Sequence, residues 1–513
     1  MTGGIETFPD WLASRAATIA DSTALVVDGK IWTFAALDTE ATRVARRLAG
    51  LGVRRGDRVA TLLHNGLLSA ILPHVTLRLG ATLVPLNARL SAPEIQWQIG
   101  DTAPRVIIAE SRTIEQLEHA RRNDPQLAVI SADTDGATML GTPPLGEADE
   151  IDVPLSLAHD ASAVLAIIYT SGTAGKPKGA MLTVANFWWS AIGSALNLGI
   201  DSEDRWLVCL PLFHIGGLSI VIRSAIYGTA VVVQDGFDAN LVNAAIDERQ
   251  VTMISIVGVM LERMLDARGK QPYPPTLRYV LLGGGPGSES LLDRARALSI
   301  RVVPTYGLTE TCSQVVTLAP RDVGRKAGAS GKVLYPNELR INIDVDSDGQ
   351  VDEPGEILVR GPVVMAGYAG RPEETSRVVV DGWLHTGDIG RVDEDGYLYV
   401  LDRRDDLIVS GGENVYPAEV EAALLTHPSV AEVGVIGVAD STWGQRVVAV
   451  ARLSDAPDVV RVDAPELKAH CETRLAGYKT PREFHFVTEP LPRTASGKLR
   501  RAALREIVAR HIG

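Results

Sequence analysis

The residues with the clearest chemical potential lie between Tyr169 and Gly179, in the sequence YTSGTAGKPKG. Its glycines allow the backbone to turn tightly and to approach a ligand closely. Exposed backbone N–H groups, hydroxyls and ammonium groups can together surround a polyphosphate. The same composition also fits a solvated surface turn, so the stretch alone leaves both interpretations open. The polar side chains in question are those of Thr170, Ser171, Thr173, Lys176 and Lys178.

This stretch is not the common P-loop. The pattern GxxxxGK[ST] needs a serine or threonine after the lysine and a helix behind it, whereas Pro177 follows Lys176. The apolar run 164–168 leads into the stretch and is typical of a buried strand.

Helical and strand patterns alternate through the first 330 residues, which predicts mainly parallel sheets covered by helices. Polar, Gly-rich segments follow several of the strands, and ligands bind outside the carboxyl ends of such strands. We therefore expect these segments to share one crevice. The predicted helices are 34–51, 69–79, 95–99 (opened by a capping box of Ser91 and Glu94) and 218–226. The predicted strands are 58–63, 81–86, 106–109, 164–168, 207–210, 231–233, 253–257, 278–282 and 302–304.

The pattern changes after about residue 336. Short alternating strands predict a small β subdomain at about 336–402. A dense charge cluster at 402–406 then precedes a helix–strand–strand–helix pattern. The predicted fold is α/β, with a large N-terminal domain at 1–402 and a smaller, mobile α+β C-terminal domain at 403–513.

Composition limits the function classes. The chain has 513 residues, 46% of them hydrophobic, and a net charge of −13, which argues against nucleic acid or an anionic membrane as the main partner. No membrane span and no signal peptide are expected, and the predicted location is cytoplasmic. The three cysteines lack metal-site spacing and are expected to be free thiols: Cys209, Cys312 and Cys471.

Seven motifs in order give the chain a family resemblance that extends from about residue 10 to the C-terminus. It resembles the adenylate-forming enzymes, which include acyl-CoA ligases, the adenylation domains of peptide synthetases and beetle luciferases. The motifs are 169–179, 283–285, 306–310, 383–388, 402–406, 411–414 and 492–498.

The resemblance implies ATP, Mg²⁺ and coenzyme A (as a substrate), and it implies a role for each motif. The Thr170–Lys178 loop, with Ser171, Gly172, Thr173 and Lys176, would hold the β- and γ-phosphates. Mg²⁺, which prefers carboxylate and phosphate oxygens, would be held by Glu310 with Thr173. The remaining nucleotide contacts would come from Gly283, Gly284, Gly285 and Tyr306 around adenine, Thr309 at the α-phosphate, and Asp388 with Arg403 at the ribose.

The resemblance also implies two half-reactions. Lys498 would stabilise the attack of a carboxylate on the α-phosphorus, because one positioned ammonium offsets the repulsion between two anions. The C-terminal domain would then rotate at a hinge placed at Asp405. Its other face, with Gly411, Gly412 and Glu413, would admit the thiol. Lys498→Ala should therefore slow adenylate formation by at least roughly 100-fold and spare thioester formation.

Two positions depart from the family pattern. Ala174 stands where serine or threonine is usual, which removes one hydroxyl from the phosphate loop. Asp402 stands where glycine is frequent, which leaves the hinge geometry open.

The acyl-side segments 190–199 and 210–219 are similar to the o-succinylbenzoate–CoA ligase family of menaquinone biosynthesis. That substrate carries two carboxylates. One is activated, and the resemblance places a basic residue, Arg223, at the other. A lone arginine in an apolar run is costly to bury without an anion. His214, Gly284 and Gly307 complete the expected acid site, with His214 lining or gating it.

Other functions remain open at this stage. The chain could be a ligase for another aryl or fatty acid, or a stand-alone adenylation enzyme that loads a carrier protein. A nucleotide-binding regulator is disfavoured, because binding alone would not require both Lys498 and Glu310. The residues do not give the oligomeric state, and a homodimer stays open.

Overall fold

The computed structural model describes residues 6–123, 127–133, 144–170, 177–284, 289–342, 353–402, 407–454, 462–492 and 499–512. The chain forms two compact units. The first comprises Met1–Ala88, Ile99–Tyr169 and Gly179–Leu401. The second comprises Arg89–Gln98, Thr170–Lys178 and Asp402–Gly513.

The large unit is built on two sheets that are covered by helices. The helices are α1 (Trp11–Thr18), α2 (Phe34–Gly50), α3 (Leu67–Leu79), α4 (Ala92–Thr102, which spans parts of both units), α5 (Ile114–Asn123), α6 (Val184–Leu198), α7 (Ile215–Tyr227), α8 (Ala239–Glu248), α9 (Gly258–Arg268), α10 (Glu289–Ala297) and α11 (Pro372–Val378). Short 3₁₀ turns lie at Leu145–Glu147, Thr309–Thr311 and Pro320–Asp322.

One sheet has seven strands in the order β20-β10-β9-β5-β4-β6-β7. The pairs from β9 to β7 are parallel, whereas β10 and β20 pair antiparallel. Its strands are β4 (Arg58–Leu62), β5 (Thr82–Pro85), β6 (Val106–Ala109), β7 (Val129–Ser131), β9 (Val164–Thr170), β10 (Lys178–Thr183) and β20 (Gly367–Tyr368). A separate two-stranded ribbon joins β1 (Thr7–Pro9) to β8 (Ala158–Asp160).

The other sheet has nine strands in the order β17-β16-β15-β14-β13-β11-β12-β2-β3. It is parallel from β15 to β2 and antiparallel at both edges. Its strands are β2 (Thr23–Val27), β3 (Lys30–Thr33), β11 (Arg205–Val208), β12 (Ala230–Val233), β13 (Met253–Val257), β14 (Tyr279–Gly283), β15 (Val302–Leu308), β16 (Ser313–Thr317) and β17 (Lys332–Val333).

The end of β15 differs from the sequence prediction. We expected the strand to stop at Pro304 and a polar loop to follow, but β15 continues to Leu308 and pairs with β16. The register shifts between Tyr306 and Gly307. A Cβ at Gly307 would lie 1.8 Å from the Ser313 carbonyl oxygen, so glycine permits this close hairpin. The apolar pattern that marks a buried strand ends at Pro304, although Tyr306 and Leu308 still pack in a core cluster of the large unit.

The predicted β subdomain is present in the large unit as a five-stranded antiparallel sheet. Its strands are β18 (Glu338–Asn342), β19 (Gly355–Arg360), β21 (Val379–Val380), β22 (Trp383–Val392) and β23 (Leu398–Asp402). β22 pairs with β19 and carries Asp388 near its middle.

The second unit has the predicted α+β composition, with two apolar clusters on the two faces of one sheet. The sheet has the order β25-β24-β27-β26, with β28 parallel to β27. Its elements are β24 (Ile408–Ser410), β25 (Glu413–Val415), α12 (Pro417–Leu425), β26 (Val430–Asp440), β27 (Gly444–Leu453), α13 (Ala464–Glu472), β28 (Glu483–Val487) and α14 (Arg501–Ile512).

Two sequence expectations concern the chain as a whole. Cys209, Cys312 and Cys471 are buried free thiols. Within the described ranges, none of the helices has both the length and the apolar character needed to cross a membrane.

Candidate active site

The β15–β16 hairpin places Tyr306 next to Asp388 of β22. The Tyr306 hydroxyl donates to Asp388 Oδ2 at 2.8 Å, and both side chains are buried. Two residues that the sequence assigned separately, one to adenine and one to ribose, therefore form one hydrogen-bonded pair. A buried carboxylate needs such donors to offset its lost hydration.

The part of β22 just before Asp388 is held by hydrogen bonds to β19 and by one bond to its own Thr386 hydroxyl. The Asp388 N–H donates to Thr386 Oγ1 at 3.1 Å, and the Thr386 hydroxyl donates to the Ile357 carbonyl at 2.7 Å. Glu356 accepts from the Gly387 N–H at 2.9 Å and contacts His385 Nδ1 at 2.9 Å. His385 thus supports this segment of β22 through Glu356.

Glu310 lies on the 3₁₀ turn that ends the same hairpin strand. Its Oε1 accepts from the Tyr368 hydroxyl at 2.8 Å, and its carbonyl accepts from the Met365 N–H at 2.9 Å. Thr309, the preceding residue, is half-buried and accepts through its carbonyl from the Cys312 N–H at 3.0 Å.

The donors around Glu310 fit a Mg²⁺ ion that is held mainly by phosphate. Mg²⁺ usually keeps several waters and takes one or two protein carboxylates together with substrate phosphates. In the described part of the chain, no group of three acidic, histidine or cysteine side chains forms a metal cluster. A single carboxylate oriented by Tyr368 agrees with that mode of binding.

Gly283 and Gly284 lie at the carboxyl end of β14, as the motif requires. Gly284 has φ of +80°, and a Cβ there would lie 2.9 Å from Val257 Cγ1. Both the backbone angle and the space therefore favour glycine.

The strand that leads into the Gly-rich loop is anchored by a residue that sequence reasoning missed. The Tyr169 hydroxyl donates to Asp101 Oδ2 at 2.7 Å, and Arg371 Nη2 contacts Asp101 Oδ1 at 2.6 Å. Burial and the Asp101 carboxylate raise the pKa of Tyr169, so this hydroxyl stays protonated. Thr170 ends β9 and Lys178 begins β10.

The loop with Pro211, Leu212 and His214 is fixed by Asn65, which sequence reasoning also missed. Asn65 Nδ2 donates to the carbonyls of Leu210 and Gln234 at 2.9 and 3.0 Å, and Oδ1 accepts from the Leu212 N–H at 2.9 Å. His214 is the N-cap residue of α7, with its ring centroid 4.7 Å from that of Phe213. The only sequence signal for Asn65 is its place just beyond the carboxyl end of β4.

Arg223 is buried near the middle of α7, at 2% exposure. Its Nη2 donates to the Ser190 hydroxyl at 2.9 Å, while its Nε has no hydrogen-bond partner among the described residues. No carboxylate of those residues forms an ion pair with it, and burial lowers the pKa of its guanidinium. Its Cζ lies 5.9 Å from the centroid of the Trp206 ring. Among the described residues, Arg223 is therefore a buried cation without an anionic partner, as its place in an apolar run predicts.

Several predicted site residues lie outside the described residues: Ser171, Gly172, Thr173, Lys176, Gly285, Arg403, Asp405 and Lys498. In the second unit, Gly411 and Gly412 form the turn between β24 and β25, both at positive φ. Glu413 begins β25, is buried, and pairs with Arg89 of the same unit at 2.6 Å.

Comparison with known proteins gives this geometry a family. The sequence model described as AMP-binding enzyme matches residues 12–369, and its C-terminal domain model matches 419–498. The chain belongs to the AMP-binding enzyme family.

Relatives of this AMP-binding enzyme match it over nearly its full length. A 2-succinylbenzoate–CoA ligase of Geobacillus kaustophilus (strain HTA426) is 45% identical over 98% of both chains. The o-succinylbenzoate–CoA synthetase of Bacillus subtilis, a double mutant bound to a product analogue, has a TM-score of 0.89 and 40% identity over 98% of both chains. The same synthetase in complex with ATP and magnesium has a TM-score of 0.72 and 41% identity, covering 97% of this chain and all of that one.

Membership in the AMP-binding family confirms the resemblance read from the motifs and the α/β fold class. The separate C-terminal match agrees with the two-part architecture. Within the large unit the structure joins Tyr306 to Asp388 and orients Glu310. It also links α7, the helix that carries Arg223, to the β15–β16 hairpin, because the hydroxyls of Ser219 on α7 and Ser313 on β16 lie 3.4 Å apart.

Proposed function

We propose that this AMP-binding enzyme is an ATP-dependent 2-succinylbenzoate–CoA ligase. A carboxylate oxygen of the acid attacks the α-phosphorus of ATP, and diphosphate leaves. The CoA thiol, losing its proton, then attacks the acyl carbon, and AMP leaves. The products are 2-succinylbenzoyl-CoA (o-succinylbenzoyl-CoA), AMP and diphosphate. The function places the enzyme in menaquinone biosynthesis, the role implied by the family resemblance.

The nucleotide would bind where the described motifs meet. Gly283, Gly284 and Tyr306 offer flat backbone and ring surfaces to adenine, and Asp388 can accept from two ribose hydroxyls. Glu310 would hold Mg²⁺, which neutralises phosphate charge when bound. Thr309 lies beside Glu310 on the same turn, at the position proposed for the α-phosphate.

The remaining proposed roles belong to the phosphate loop and to the C-terminal residues. Lys498 would stabilise adenylate formation, and residues 403–513 would rotate at Asp405 for the thiol step, a hinge mechanism. In the Gly411–Gly412 turn, Gly412 would leave room for the pantetheine arm, whereas the space beside Gly411 is taken by the Trp443 ring. Ser171, Gly172, Thr173 and Lys176 would bind phosphates, with Arg403 at the ribose.

The observation that carries the substrate assignment is the buried guanidinium of Arg223, which contacts the Ser190 hydroxyl and the Trp206 ring but forms no ion pair with a carboxylate of the described residues. A buried cation with no anion is costly, and the second carboxylate of 2-succinylbenzoate would offset that cost. Monocarboxylic acids would leave the cation unpaired. The names of the full-length relatives support the same acid. His214 lies at the start of the helix that carries Arg223, where it would line the acyl pocket. Gly307 and Gly284 would contribute backbone to the acid site, since neighbouring residues occupy the space beside each of them.

The test uses two acids that differ only in the ring carboxylate: 2-succinylbenzoate and 4-oxo-4-phenylbutanoate. Wild type should prefer the dicarboxylate in ATP–pyrophosphate exchange. Arg223→Met should lower kcat/KM for the dicarboxylate by about 100-fold, the scale for losing one partner of a buried charge pair. The same variant should change the monocarboxylate little, and Arg223→Lys should fall between.

The same assays with benzoate, octanoate and a carrier protein test the alternative functions. If benzoate or octanoate outperforms 2-succinylbenzoate, or if Arg223→Met keeps the preference, the substrate assignment is wrong while the AMP-binding family stands. Transfer to a carrier protein in place of CoA would instead identify a stand-alone adenylation enzyme.

Assembly and location are further parts of this proposal. We propose a cytoplasmic homodimer. Large exposed apolar side chains on the large unit, Leu196 at 68% and Tyr335 at 65%, support a self-association surface there. Sedimentation equilibrium would test it, since a monomer at micromolar concentration would reject the dimer.

A further inference from the structure

Ser190 lies on the buried face of α6 and uses its hydroxyl twice. The hydroxyl accepts from Arg223 Nη2 at 2.9 Å and donates to the Cys312 carbonyl at 2.8 Å. The side chain is buried, at 2% exposure. Both hydrogen-bonding functions of the group are therefore committed, and its orientation is fixed.

The side of α7 that faces Ser190 carries a stripe of polar side chains, whereas most of the other residues of the helix are apolar. Ser219, Arg223 and Tyr227 are spaced four residues apart, so they share one side of the helix. Each contacts a neighbouring element: Ser219 reaches Ser313, Arg223 reaches Ser190, and the Tyr227 hydroxyl donates to the Ala191 carbonyl at 2.5 Å. Burial raises the pKa of Tyr227 to about 12, so it supplies no negative charge to Arg223.

Cys312 is the C-cap residue of the 3₁₀ turn Thr309–Thr311, which carries Thr309 and Glu310. Cys312 is held at φ of +50°, a left-handed conformation that costs free energy outside glycine. Its N–H donates to the Thr309 carbonyl at 3.0 Å, and its own carbonyl accepts from Ser190. Ser190 is therefore bonded both to Arg223 and to the turn that carries Thr309 and Glu310.

We propose that Ser190 is a positioning residue that fixes the guanidinium plane of Arg223 so that its free Nε–H faces the second carboxylate of the acid. This inference rests on the proposed function, because it assumes that a dicarboxylic acid pairs with Arg223.

The physical reason is the planarity of guanidinium. Its five N–H groups lie in one rigid fork, so a single fixed hydrogen bond at Nη2 sets the direction of every other donor. Nε–H is buried and has no protein acceptor among the described residues. Ser190 can accept the Nη2 hydrogen bond while donating to Cys312, and alanine can do neither. Without Ser190, Arg223 keeps its charge but loses its orientation.

The test measures kcat/KM for 2-succinylbenzoate and 4-oxo-4-phenylbutanoate in wild type and Ser190→Ala. We expect a roughly 10-fold loss for the dicarboxylate, the scale of one hydrogen bond to a charged group. The monocarboxylate should change by less than about 2-fold. A variant that only perturbs the fold or the Cys312 turn would lower both values together, so the ratio of the two is the readout. Ser190→Thr, which keeps a hydroxyl, should restore much of the preference.

Ser224→Ala is the matched control. Ser224 is the neighbour of Arg223 on α7, is buried, and its hydroxyl has no partner among the described side chains and backbone groups. Its removal should leave the ratio of the two acids unchanged.

Two failures are distinguishable. If Arg223→Met abolishes the preference for the dicarboxylate but Ser190→Ala leaves it unchanged, the positioning role is overturned and the proposed function stands. If Arg223→Met itself leaves the preference unchanged, the substrate assignment fails and this inference fails with it. If Ser190→Ala lowers both acids equally, Ser190 has a structural role only.

Discussion

Replacing Asn65 by alanine should weaken binding of the acid more than binding of ATP. Asn65 makes three hydrogen bonds, to the carbonyls of Leu210 and Gln234 and from the N–H of Leu212. They fix the loop that leads to His214. Alanine fills none of these roles, and the Leu212 N–H would be left buried without an acceptor.

The magnitude follows from the partners that lose their bonds. A buried group left unsatisfied costs about 1–3 kcal/mol, while Leu210 and Gln234 are half-buried and can recover part of the loss from water. We therefore expect about 2–3 kcal/mol of lost stability. If roughly half of that loss is felt as disorder of the acyl loop when acid binds, KM for the acid rises about 10-fold.

The assay is ATP–pyrophosphate exchange at varied acid and at varied ATP, combined with thermal unfolding. Asn243→Ala is the matched control, because Asn243 is also buried, donates to the Met264 carbonyl at 3.1 Å and accepts from the Tyr273 hydroxyl at 2.7 Å. It lies on α8 and makes no bond to the acyl loop. It should lower the unfolding temperature comparably and leave KM for the acid unchanged.

Two results would refute the reasoning. Asn65→Ala could lose stability with no change in KM for the acid, which would make the residue a structural bridge only. Alternatively, both asparagine variants could raise KM equally, which would mean that any loss of stability disturbs acid binding.

Two further predictions concern the metal and the pH dependence. Tyr368→Phe removes the hydroxyl that donates to Glu310 in the described structure. Because an orienting partner of a metal ligand is lost, the Mg²⁺ concentration needed for half-maximal exchange should rise by about 10-fold. An unchanged Mg²⁺ dependence would contradict the role given to Glu310. Burial lowers the pKa of His74 to about 4 from its ordinary 6.5, so the unfolded chain binds more protons between these values. Stability should therefore fall as the pH drops from about 6.5 to about 4, by about 3 kcal/mol, and urea unfolding of His74→Leu should show a shallower decline over that window.

Buried parallel strands were the most predictable part of the fold. Val106–Ala109 and Met253–Val257 occupy the predicted residues, because a strand covered on both faces is apolar throughout and is bounded by polar residues. Strands that end in a site were less predictable. β15 extends four residues beyond its apolar portion, since Thr305–Leu308 carry polar and glycine positions that the ligand site requires.

The candidate site divides in the same way. Tyr306, Glu310 and Asp388 are predicted site residues because their motifs are specific, but no motif states that Tyr306 bonds Asp388 or that a distant tyrosine bonds Glu310. Such pairs join residues more than 50 positions apart, and only the fold brings them together.

The residues that sequence reasoning missed are polar groups that hold backbone or other polar side chains in place. Asn65 bonds three backbone groups, and Asp101 bonds two side chains. Both residues therefore use their polar atoms to hold other parts of the protein, and neither residue type suggests a ligand contact. A single asparagine or aspartate next to apolar residues is common, which explains why no pattern singles it out.

Arg223 is different, because a cation inside an apolar helical run contradicts its local surroundings. Such a contradiction is itself a signal, since proteins tolerate a local cost of this kind mainly where function requires it. Ser190 can be identified only after Arg223 has been identified. No sequence pattern distinguishes this serine, and its proposed role follows from its hydrogen bond to the Arg223 guanidinium.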